Sequence, residues 1–361
     1  MHANTQAPDD ALERTNLSKV SFGSPGQLRS LVSKFVPLAA AVMSTVGTAG
    51  AALIPYPGTN DWQYRDFGAT LTAGQGGQLL MLFIGTPTGY VPVASAVRIN
   101  AHYAITAAHN VRWPSGGVTN VRVGTGTNMI GDTGSLYDGT VVAVYPGWVP
   151  GTGSFNVPDI AVIYFPTPIA EGSDAVFAPA GSTTTNSLQT FGGFGRLAIS
   201  DMGSQPADFN VRGFRAPVSG VNSNNVSYTY YRTGNFSVNS SVPLRGRSSG
   251  GDSGGLVLNA QGQLVGVIIG GEGGNGSLGS TFYLDFTMPN QEVVTWLRGI
   301  VGTGTLCPAD FNQDGGVDGA DVQEFFASWE SGSTTADVNQ DGGVDGADVE
   351  RFFAAWENGG C

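Results

Sequence analysis

The amino-acid sequence predicts a mainly β protein that ends in a small α-helical domain. Short apolar runs recur along residues 53–288 and are separated by clusters of Gly, Pro, Asn and Ser, which is typical of antiparallel sheets. Only 12% of the 361 residues are charged, whereas 55 are glycine, and this composition favours turns and strands over helix bundles. An acidic repeat of 27 residues near the carboxyl end differs in character and indicates a second domain.

Five apolar runs give the clearest predicted strands. They lie at residues 78–84, 118–123, 141–145, 160–164 and 264–269, and the run at 118–123 is the weakest of them. A helix is predicted at 290–298, with Asn290 as its N-terminal cap. Many short strands joined by turns over this length predict an antiparallel sandwich or barrel.

The first 51 residues have the features of an export leader. Residues 1–34 are polar and end near basic residues, and a short apolar run follows at 35–43. Small residues at 49–51 then match the pattern before a signal-peptidase cleavage site. We therefore expect residues 1–51 to be a leader with a signal peptide, cleaved near Ala51, and the protein to be secreted or at the cell surface. The apolar run is too short for a membrane span, so we expect none in the mature chain.

The formal net charge of −12 is concentrated at one end of the chain. Residues 307–361 hold 12 of the 28 acidic residues but only one of the 16 basic residues, Arg351. An acidic surface repels the phosphate backbone, so we expect no nucleic-acid partner.

Cys307 and Cys361 are the only cysteines, and they bracket the acidic segment. Two cysteines in these positions exclude a zinc site of the CxxC type. In an exported protein we expect them to form one disulfide bond that closes the small domain. The alternative is a pair of unpaired thiols.

Three short segments of the β-rich part carry the side chains that nucleophilic catalysis requires. His109 ends the run AITAAH, Asp159 lies in PDIAV, and Ser253 lies in SGGDSGGLV. A serine hydroxyl is a weak nucleophile at neutral pH, so an imidazole must accept its proton and a carboxylate must orient the imidazole. The glycines beside Ser253 allow a tight turn in which the N–H groups of Gly251 and Ser253 face one point, as oxyanion binding requires.

These motifs, in the order His, Asp, Ser, resemble those of the trypsin-like serine peptidases of the chymotrypsin fold, over residues 60–300. The resemblance implies two six-stranded antiparallel β-barrels with the site in the cleft between them, and we assign this domain to residues 52–302. It implies that His109 is the general base, Asp159 its orienting acid and Ser253 the nucleophile. The expected substrate is a protein or peptide, and the peptidase chemistry requires no cofactor.

The sequence departs from the family pattern in ways that bear on function. No activation site of the RIVGG type is present, so Asp252 needs a partner other than a newly formed N-terminal ammonium group. Arg247 stands six residues before Ser253, where the family has the base of the primary specificity pocket. A cation there disfavours basic substrate side chains and favours acidic or small ones. The alternative is that Arg247 is a surface arginine outside the pocket.

Each copy of the repeat has oxygen-bearing groups at the ligand positions of a calcium-binding loop, with glycine at position 6 and a backbone carbonyl at position 7. The predicted ligands are Asp310, Asn312, Asp314, Gly316, Asp318 and Asp321 in the first loop and Asp337, Asn339, Asp341, Gly343, Asp345 and Asp348 in the second. Four carboxylates in each loop repel one another. We therefore expect two Ca²⁺ ions, and we expect folding of this segment to depend on them.

Residues 307–361 resemble the dockerin module, a small α-helical domain of EF-hand type, and follow a linker at 303–306. The resemblance implies a protein partner, either cohesin-like or at the cell surface. Loop positions 10 and 11, Gly319-Ala320 and Gly346-Ala347, are small and apolar instead of hydroxyl-bearing, which argues against a cellulosomal partner. The alternatives are a segment that binds calcium only for its own stability and an acidic, solvated, disordered tail.

The whole sequence predicts a secreted serine endopeptidase with a calcium-dependent C-terminal module for attachment or protein binding. The alternative is a catalytically inactive, peptidase-like binding protein displayed through the same module. The intact set of His109, Asp159 and Ser253 favours the enzyme.

Overall fold

The computed structural model describes most of the chain from residue 52 onward. The described residues are 52–54, 60–112, 117–150, 157–199, 203–204, 208–222, 230–233, 241–271, 279–287, 292–302, 309, 311–312, 317–338 and 343–357. Outside them lie the predicted leader, the linker at 303–306, the helix cap Asn290 and both cysteines of the predicted disulfide. Five predicted calcium ligands also lie outside them, namely Asp310, Asp314, Gly316, Asn339 and Asp341.

The first half of the described chain forms a closed six-stranded barrel, with strands in the order β2-β3-β4-β7-β6-β5. Its strands are β2 (Leu79–Thr86), β3 (Gly89–Arg98), β4 (Tyr103–Thr106), β5 (Asn120–Gly124), β6 (Leu136–Val144) and β7 (Ala161–Tyr164). All the pairings are antiparallel. The predicted strands at 78–84, 118–123, 141–145 and 160–164 are therefore confirmed, with ends that differ by a few residues.

A second closed barrel follows, with strands in the order β11-β12-β15-β14-β13-β8. Its strands are β8 (Leu188–Gly193), β11 (Arg212–Asn222), β12 (Tyr230–Thr233), β13 (Leu256–Leu258), β14 (Leu264–Gly271) and β15 (Thr281–Asp285). Three short strands, β1 (Ala52–Ile54), β9 (Leu197–Ile199) and β10 (Gly203–Ser204), form a separate small sheet. The fold is therefore mainly β with two six-stranded antiparallel barrels, as expected.

The continuous apolar run of β2 is explained by burial on both faces. Leu79, Met81 and Phe83 belong to the core that the two barrels share, whereas Leu80 and Leu82 belong to the interior of the first barrel. Successive side chains of a strand point to opposite faces, so a strand between two cores needs apolar residues at every position. Strand β14 is also buried on both faces, with Leu264, Val267 and Ile269 in the shared core and Val265 and Ile268 in the interior of the second barrel.

Five α-helices are described. They are α1 (Asp61–Ala69), α2 (Ala108–Arg112), α3 (Glu292–Val301), α4 (Gly319–Glu330) and α5 (Gly346–Glu357). The helix predicted at 290–298 corresponds to α3, which packs its apolar face on the shared core of the barrels. Within the described residues no helix is long and apolar enough to cross a membrane.

The two helices of the repeat pack against each other through equivalent aromatic residues. The rings of Phe325 and Phe352 are fully buried and stack in parallel with their centroids 4.3 Å apart. Phe311 and Val338 complete this separate small core. The C-terminal repeat is therefore an ordered helical unit where the structure describes it, and the expectation of a disordered tail is wrong for those residues.

Helix α1 attaches the start of the described chain to the second barrel. Asp61 at its first position accepts a hydrogen bond of 2.6 Å from Nε of Arg212, which is only 1% exposed. Asp208 accepts a second one of 3.0 Å from Nη1 of the same guanidinium. A buried guanidinium costs desolvation energy unless carboxylates neutralise it, so the two ion pairs fix α1 beside β11.

Candidate active site

The structure brings His109 and Asp159 into direct contact. The Nδ1 atom of His109 lies 2.6 Å from Oδ2 of Asp159, and the backbone N–H of His109 donates to the other carboxylate oxygen at 2.9 Å. The carboxylate thus holds both the ring and the backbone of the same residue. Since a carboxylate only accepts, Nδ1 carries the proton and Nε2 is left to act as a base.

The register of two paired strands explains this contact. In the antiparallel pair β4–β7, Thr106 lies opposite Ala161. His109 follows Thr106 by three residues, in the first turn of α2, and Asp159 precedes Ala161 by two residues. Antiparallel pairing therefore places both side chains at the same end of the first barrel, although they are 50 residues apart in the chain.

The charge of Asp159 controls the ionisation of His109. Burial of the imidazole alone disfavours its charged form, but the negative charge of Asp159 and its hydrogen bond outweigh burial and raise the pKa of His109 above its ordinary value. A raised pKa makes the imidazole a stronger proton acceptor, which suits a general base.

Ser253 lies in a loop of the second barrel, just before β13. Gly251 and Gly254 have left-handed φ angles of 102° and 79°. A Cβ atom on Gly254 would also lie 2.2 Å from the carbonyl oxygen of Ser95, so only glycine allows the loop to approach the first barrel this closely. The GDSGG motif is thus needed for the shape of the loop itself.

The loop of Ser253 is attached to the residue beside His109. The side-chain amide of Asn110 donates hydrogen bonds to the carbonyl oxygen of Ser253 at 3.0 Å and to Oγ1 of Thr106 at 2.9 Å. Among the described residues, no direct hydrogen bond joins the Ser253 hydroxyl to His109. Catalytic hydrogen bonds are often long before substrate binds, so the lack of this bond in the unliganded protein is compatible with His109 as the base and Ser253 as the nucleophile.

Backbone amides hold Asp252, the residue whose partner the sequence left open. Its carboxylate accepts hydrogen bonds of 2.7 Å from the backbone N–H groups of Gly195 and Ser249. Burial raises its pKa to about 6, against these donors and the positive charge of Arg212, which lower it.

Sequence reasoning missed the glycines that make room for Asp252. A Cβ atom on either Gly193 or Gly195 would lie 2.5 Å from Oδ1 of Asp252. The run GGFG at residues 192–195 was the only available signal, and in a chain with 55 glycines it does not stand out. Its function is apparent only from the packing.

Arg247 is buried, with 2% of its surface exposed, so the expectation of a surface arginine is wrong. The next residue, Ser248, donates its backbone N–H to Oγ1 of Thr281 at 2.8 Å and its hydroxyl to the carbonyl oxygen of Gly270 at 2.9 Å. Arg247 is therefore a buried residue next to the point where the chain bonds to β14 and β15.

The described calcium-ligand candidates occupy equivalent places in the two copies of the repeat. Asp321 and Asp348 are fully buried and each accepts a backbone N–H, from Asp318 and Asp345 respectively, at 2.9 Å. Asp318 and Asp345 each cap the following helix with hydrogen bonds of 2.8 Å from a backbone N–H. Asn312 also donates its N–H to Asp321.

This arrangement fits a hard cation in its donor chemistry. Only oxygen-bearing ligands were predicted, and the position-12 carboxylates of both copies are buried at the end of the loop, where they organise its backbone. Among the described residues, however, no group of three or more ligating side chains stands together. The remaining predicted ligands, Asn312, Asp337 and Gly343, lie at the edges of the described segments.

Residues 94–267 match the family model described as a trypsin-like peptidase domain, and this region contains His109, Asp159 and Ser253. No curated protein matches the chain. Among solved structures, the chain is similar to the scabies mite inactivated protease paralogue S-I1, with 16% sequence identity and a TM-score of 0.45. This similarity covers 64% of the present chain and 96% of the mite protein.

Replacement of Asp159 by Asn should lower the pKa of His109, because burial is then no longer outweighed by a negative charge. Titration followed by ¹H–¹⁵N NMR of the imidazole nitrogens measures this value, and a His102→Gln variant assigns the signal. We expect the pKa of His109 to lie above its ordinary value in the parent protein and to be clearly lower in Asp159→Asn. An unchanged value would contradict the role given to Asp159.

Proposed function

We propose that the protein is a secreted serine endopeptidase that hydrolyses peptide bonds through an acyl-enzyme on Ser253. The observation that carries this proposal is the contact of Asp159 with both Nδ1 and the backbone N–H of His109, 2.6 and 2.9 Å long. It leaves Nε2 of His109 as the only ring nitrogen able to accept a proton. The match of the surrounding region to a trypsin-like peptidase domain supports the same conclusion.

In the proposed reaction, Oγ of Ser253 attacks the carbonyl carbon of the substrate while its proton passes to Nε2 of His109. The carbonyl oxygen becomes an oxyanion, which accepts hydrogen bonds from the backbone N–H groups of Gly251 and Ser253. The intermediate then expels the amine, which takes the proton from His109, and the acyl group stays on Ser253. Water, deprotonated by His109, releases the acyl group by the same steps.

The buried cation of Arg247 supports a substrate preference. Burial lowers the pKa of this guanidinium, yet an arginine stays protonated in proteins. A positive charge six residues before Ser253 repels the side chain of lysine or arginine and attracts a carboxylate. We therefore infer that acidic or small residues precede the cleaved bond.

The C-terminal module completes the proposal. We infer that residues 307–361 bind two Ca²⁺ ions through the predicted ligands and attach the peptidase to a protein partner, either cohesin-like or at the cell surface. The Gly319-Ala320 and Gly346-Ala347 pairs are exposed at equivalent places, at the start of α4 and α5. Two equivalent exposed sites support a partner that can bind either copy of the repeat. Export through the signal peptide is compatible with this extracellular function.

A serine-directed phosphonate should label the folded, calcium-loaded protein on Ser253, because nucleophile and base act together. Mass spectrometry of peptides locates the adduct, and casein hydrolysis measures activity. We expect Ser253→Ala to abolish labelling and Asp159→Asn to lower activity by roughly 10⁴-fold. Absence of an adduct in the parent protein would favour the inactive, peptidase-like binding protein instead.

Cleavage of a peptide library tests the role of Arg247. We expect cleavage mainly after Asp, Glu or small residues, and we expect Arg247→Met to weaken the preference for acidic residues by about tenfold, because it removes the attracting charge. The variant Arg232→Met, which alters an exposed strand residue of the same barrel, is the matched control. Efficient cleavage after Lys or Arg by the parent protein would contradict the assignment.

Isothermal titration of the apo protein with calcium should show two bound ions, because each repeat carries one complete set of oxygen ligands. The double variant Asp314→Ala, Asp341→Ala should bind neither ion tightly. The variant Glu330→Gln removes an exposed carboxylate that is not a predicted ligand and should leave both sites intact. Parent-like binding in the double variant would rule out these loops as the calcium sites.

A further inference from the structure

One buried hydroxyl connects the two barrels beside Ser253. Ser95 lies on β3 of the first barrel and is fully buried between Ala94 and Ala96. Its Oγ donates a hydrogen bond of 3.0 Å to the carbonyl oxygen of Gly251 and accepts one of 2.9 Å from the N–H of Phe194. Both partners belong to the second barrel and its loops.

The backbone of Ser95 makes further contacts with the same region. Its N–H donates to the carbonyl oxygen of Ser253 at 3.0 Å. Its own carbonyl oxygen accepts a hydrogen bond of 2.7 Å from Oγ1 of Thr106, which in turn accepts one from Asn110. Ser95 thus contacts residues on both sides of Asp252 and is linked by two hydrogen bonds to the neighbour of His109.

We propose that Ser95 is a positioning residue that holds the oxyanion-binding loop in its active conformation through its hydroxyl group. This role rests on the proposed peptidase function. The hydroxyl has both a donor and an acceptor partner, so the direction of its proton is fixed. It therefore locks the carbonyl of Gly251 toward the first barrel.

A second contact fixes the neighbouring peptide group. The carbonyl oxygen of Gly250 accepts a hydrogen bond of 3.1 Å from the N–H of Arg196. In a planar trans peptide the N–H of Gly251 points away from that carbonyl. With both carbonyls held, the N–H of Gly251 has one orientation available, which is the condition for a preformed oxyanion-binding site.

The turn at residues 194–196 is the common support for these contacts. The N–H of Phe194 binds the Ser95 hydroxyl, that of Gly195 binds the Asp252 carboxylate, and that of Arg196 binds the Gly250 carbonyl. Without the Ser95 hydroxyl, the buried N–H of Phe194 and the buried carbonyl of Gly251 would both lose a partner. Buried groups without partners are unfavourable, so the loop would shift to regain them.

The test compares Ser95→Ala with Thr125→Val in the full-length, calcium-loaded protein. Thr125→Val also removes a buried hydroxyl of the first barrel, one that accepts a hydrogen bond from Ser135 and not from the oxyanion-binding loop. Casein-derived fluorogenic peptides give kcat and KM, and a peptide aldehyde reports affinity for the tetrahedral adduct. Thermal unfolding gives the stability of each variant.

We expect Ser95→Ala to lower kcat by about 10²-fold and to weaken aldehyde binding similarly, with KM changed less than about twofold, because only the transition state uses the oxyanion site. Thr125→Val should lose stability but keep its kcat. Ser95→Cys, which retains a weaker donor of similar size, should be intermediate and serves as the test if Ser95→Ala does not fold. The pH at which activity falls on the acid side should stay unchanged, since the His109–Asp159 contact is intact.

The outcomes separate the two proposals. A parent-like kcat in Ser95→Ala, or an equal loss in Thr125→Val at equal stability, would overturn the positioning role and leave the peptidase function standing. An inactive parent protein that the phosphonate does not label would overturn the peptidase function, and the role of Ser95 with it.

Discussion

The candidate site depends on the contact between the two barrels, because its base and its nucleophile come from different ones. His109 and Asp159 belong to the first barrel, and Ser253 belongs to the second. All cysteines lie after residue 306, so no disulfide bond secures this contact. The shared apolar core stabilises the association of the barrels by removing apolar surface from water. Buried hydrogen bonds from Ser95 and Asn110 to the carbonyl of Ser253 supply the alignment.

Near Ser253, close packing of backbone segments that only glycine permits holds the two barrels together without a disulfide bond. Gly254 allows the Ser253 loop to contact β3, and Gly193 and Gly195 allow the carboxylate of Asp252 to lie against the end of β8. Any larger residue would collide with backbone or with the carboxylate. Backbone amides of Gly195 and Ser249 hold the carboxylate of Asp252, and the Ser95 hydroxyl and the Asn110 side chain hold the neighbouring carbonyls of Gly251 and Ser253.

The sequence could predict what local patterns encode. Short apolar runs identified β2, β7 and β14, and two of the three motifs identified the residues that form the His109–Asp159 contact. The strand β3 was missed because it combines Pro92 and Ser95 with small residues and has no strong apolar alternation. The contact of Ser95 with Gly251 and that of Asp252 with Gly195 join residues 156 and 57 positions apart, so no local pattern indicates them. The burial of Arg247 likewise has no signal in the sequence around it.

In the C-terminal repeat, too, the sequence predicted the secondary structure better than the roles of individual side chains. Its resemblance to the dockerin module predicted a small α-helical domain, and the structure has two helices there, α4 and α5, which pack through the equivalent residues Phe325 and Phe352. The capping role of Asp318 and Asp345 was not predicted, because the sequence pattern of an acidic loop does not distinguish a metal ligand from a helix cap. Calcium binding and the attachment partner remain predictions of the sequence pattern.

A crystal structure of the protein after reaction with the phosphonate would show whether the two barrels hold a preformed serine peptidase site. We expect phosphorus bonded to Oγ of Ser253, with one phosphoryl oxygen within hydrogen-bond distance of the N–H groups of Gly251 and Ser253. We also expect Nε2 of His109 to lie beside the adduct. An adduct whose oxygen points away from these N–H groups, with the carbonyl of Gly250 turned toward it, would contradict a preformed site.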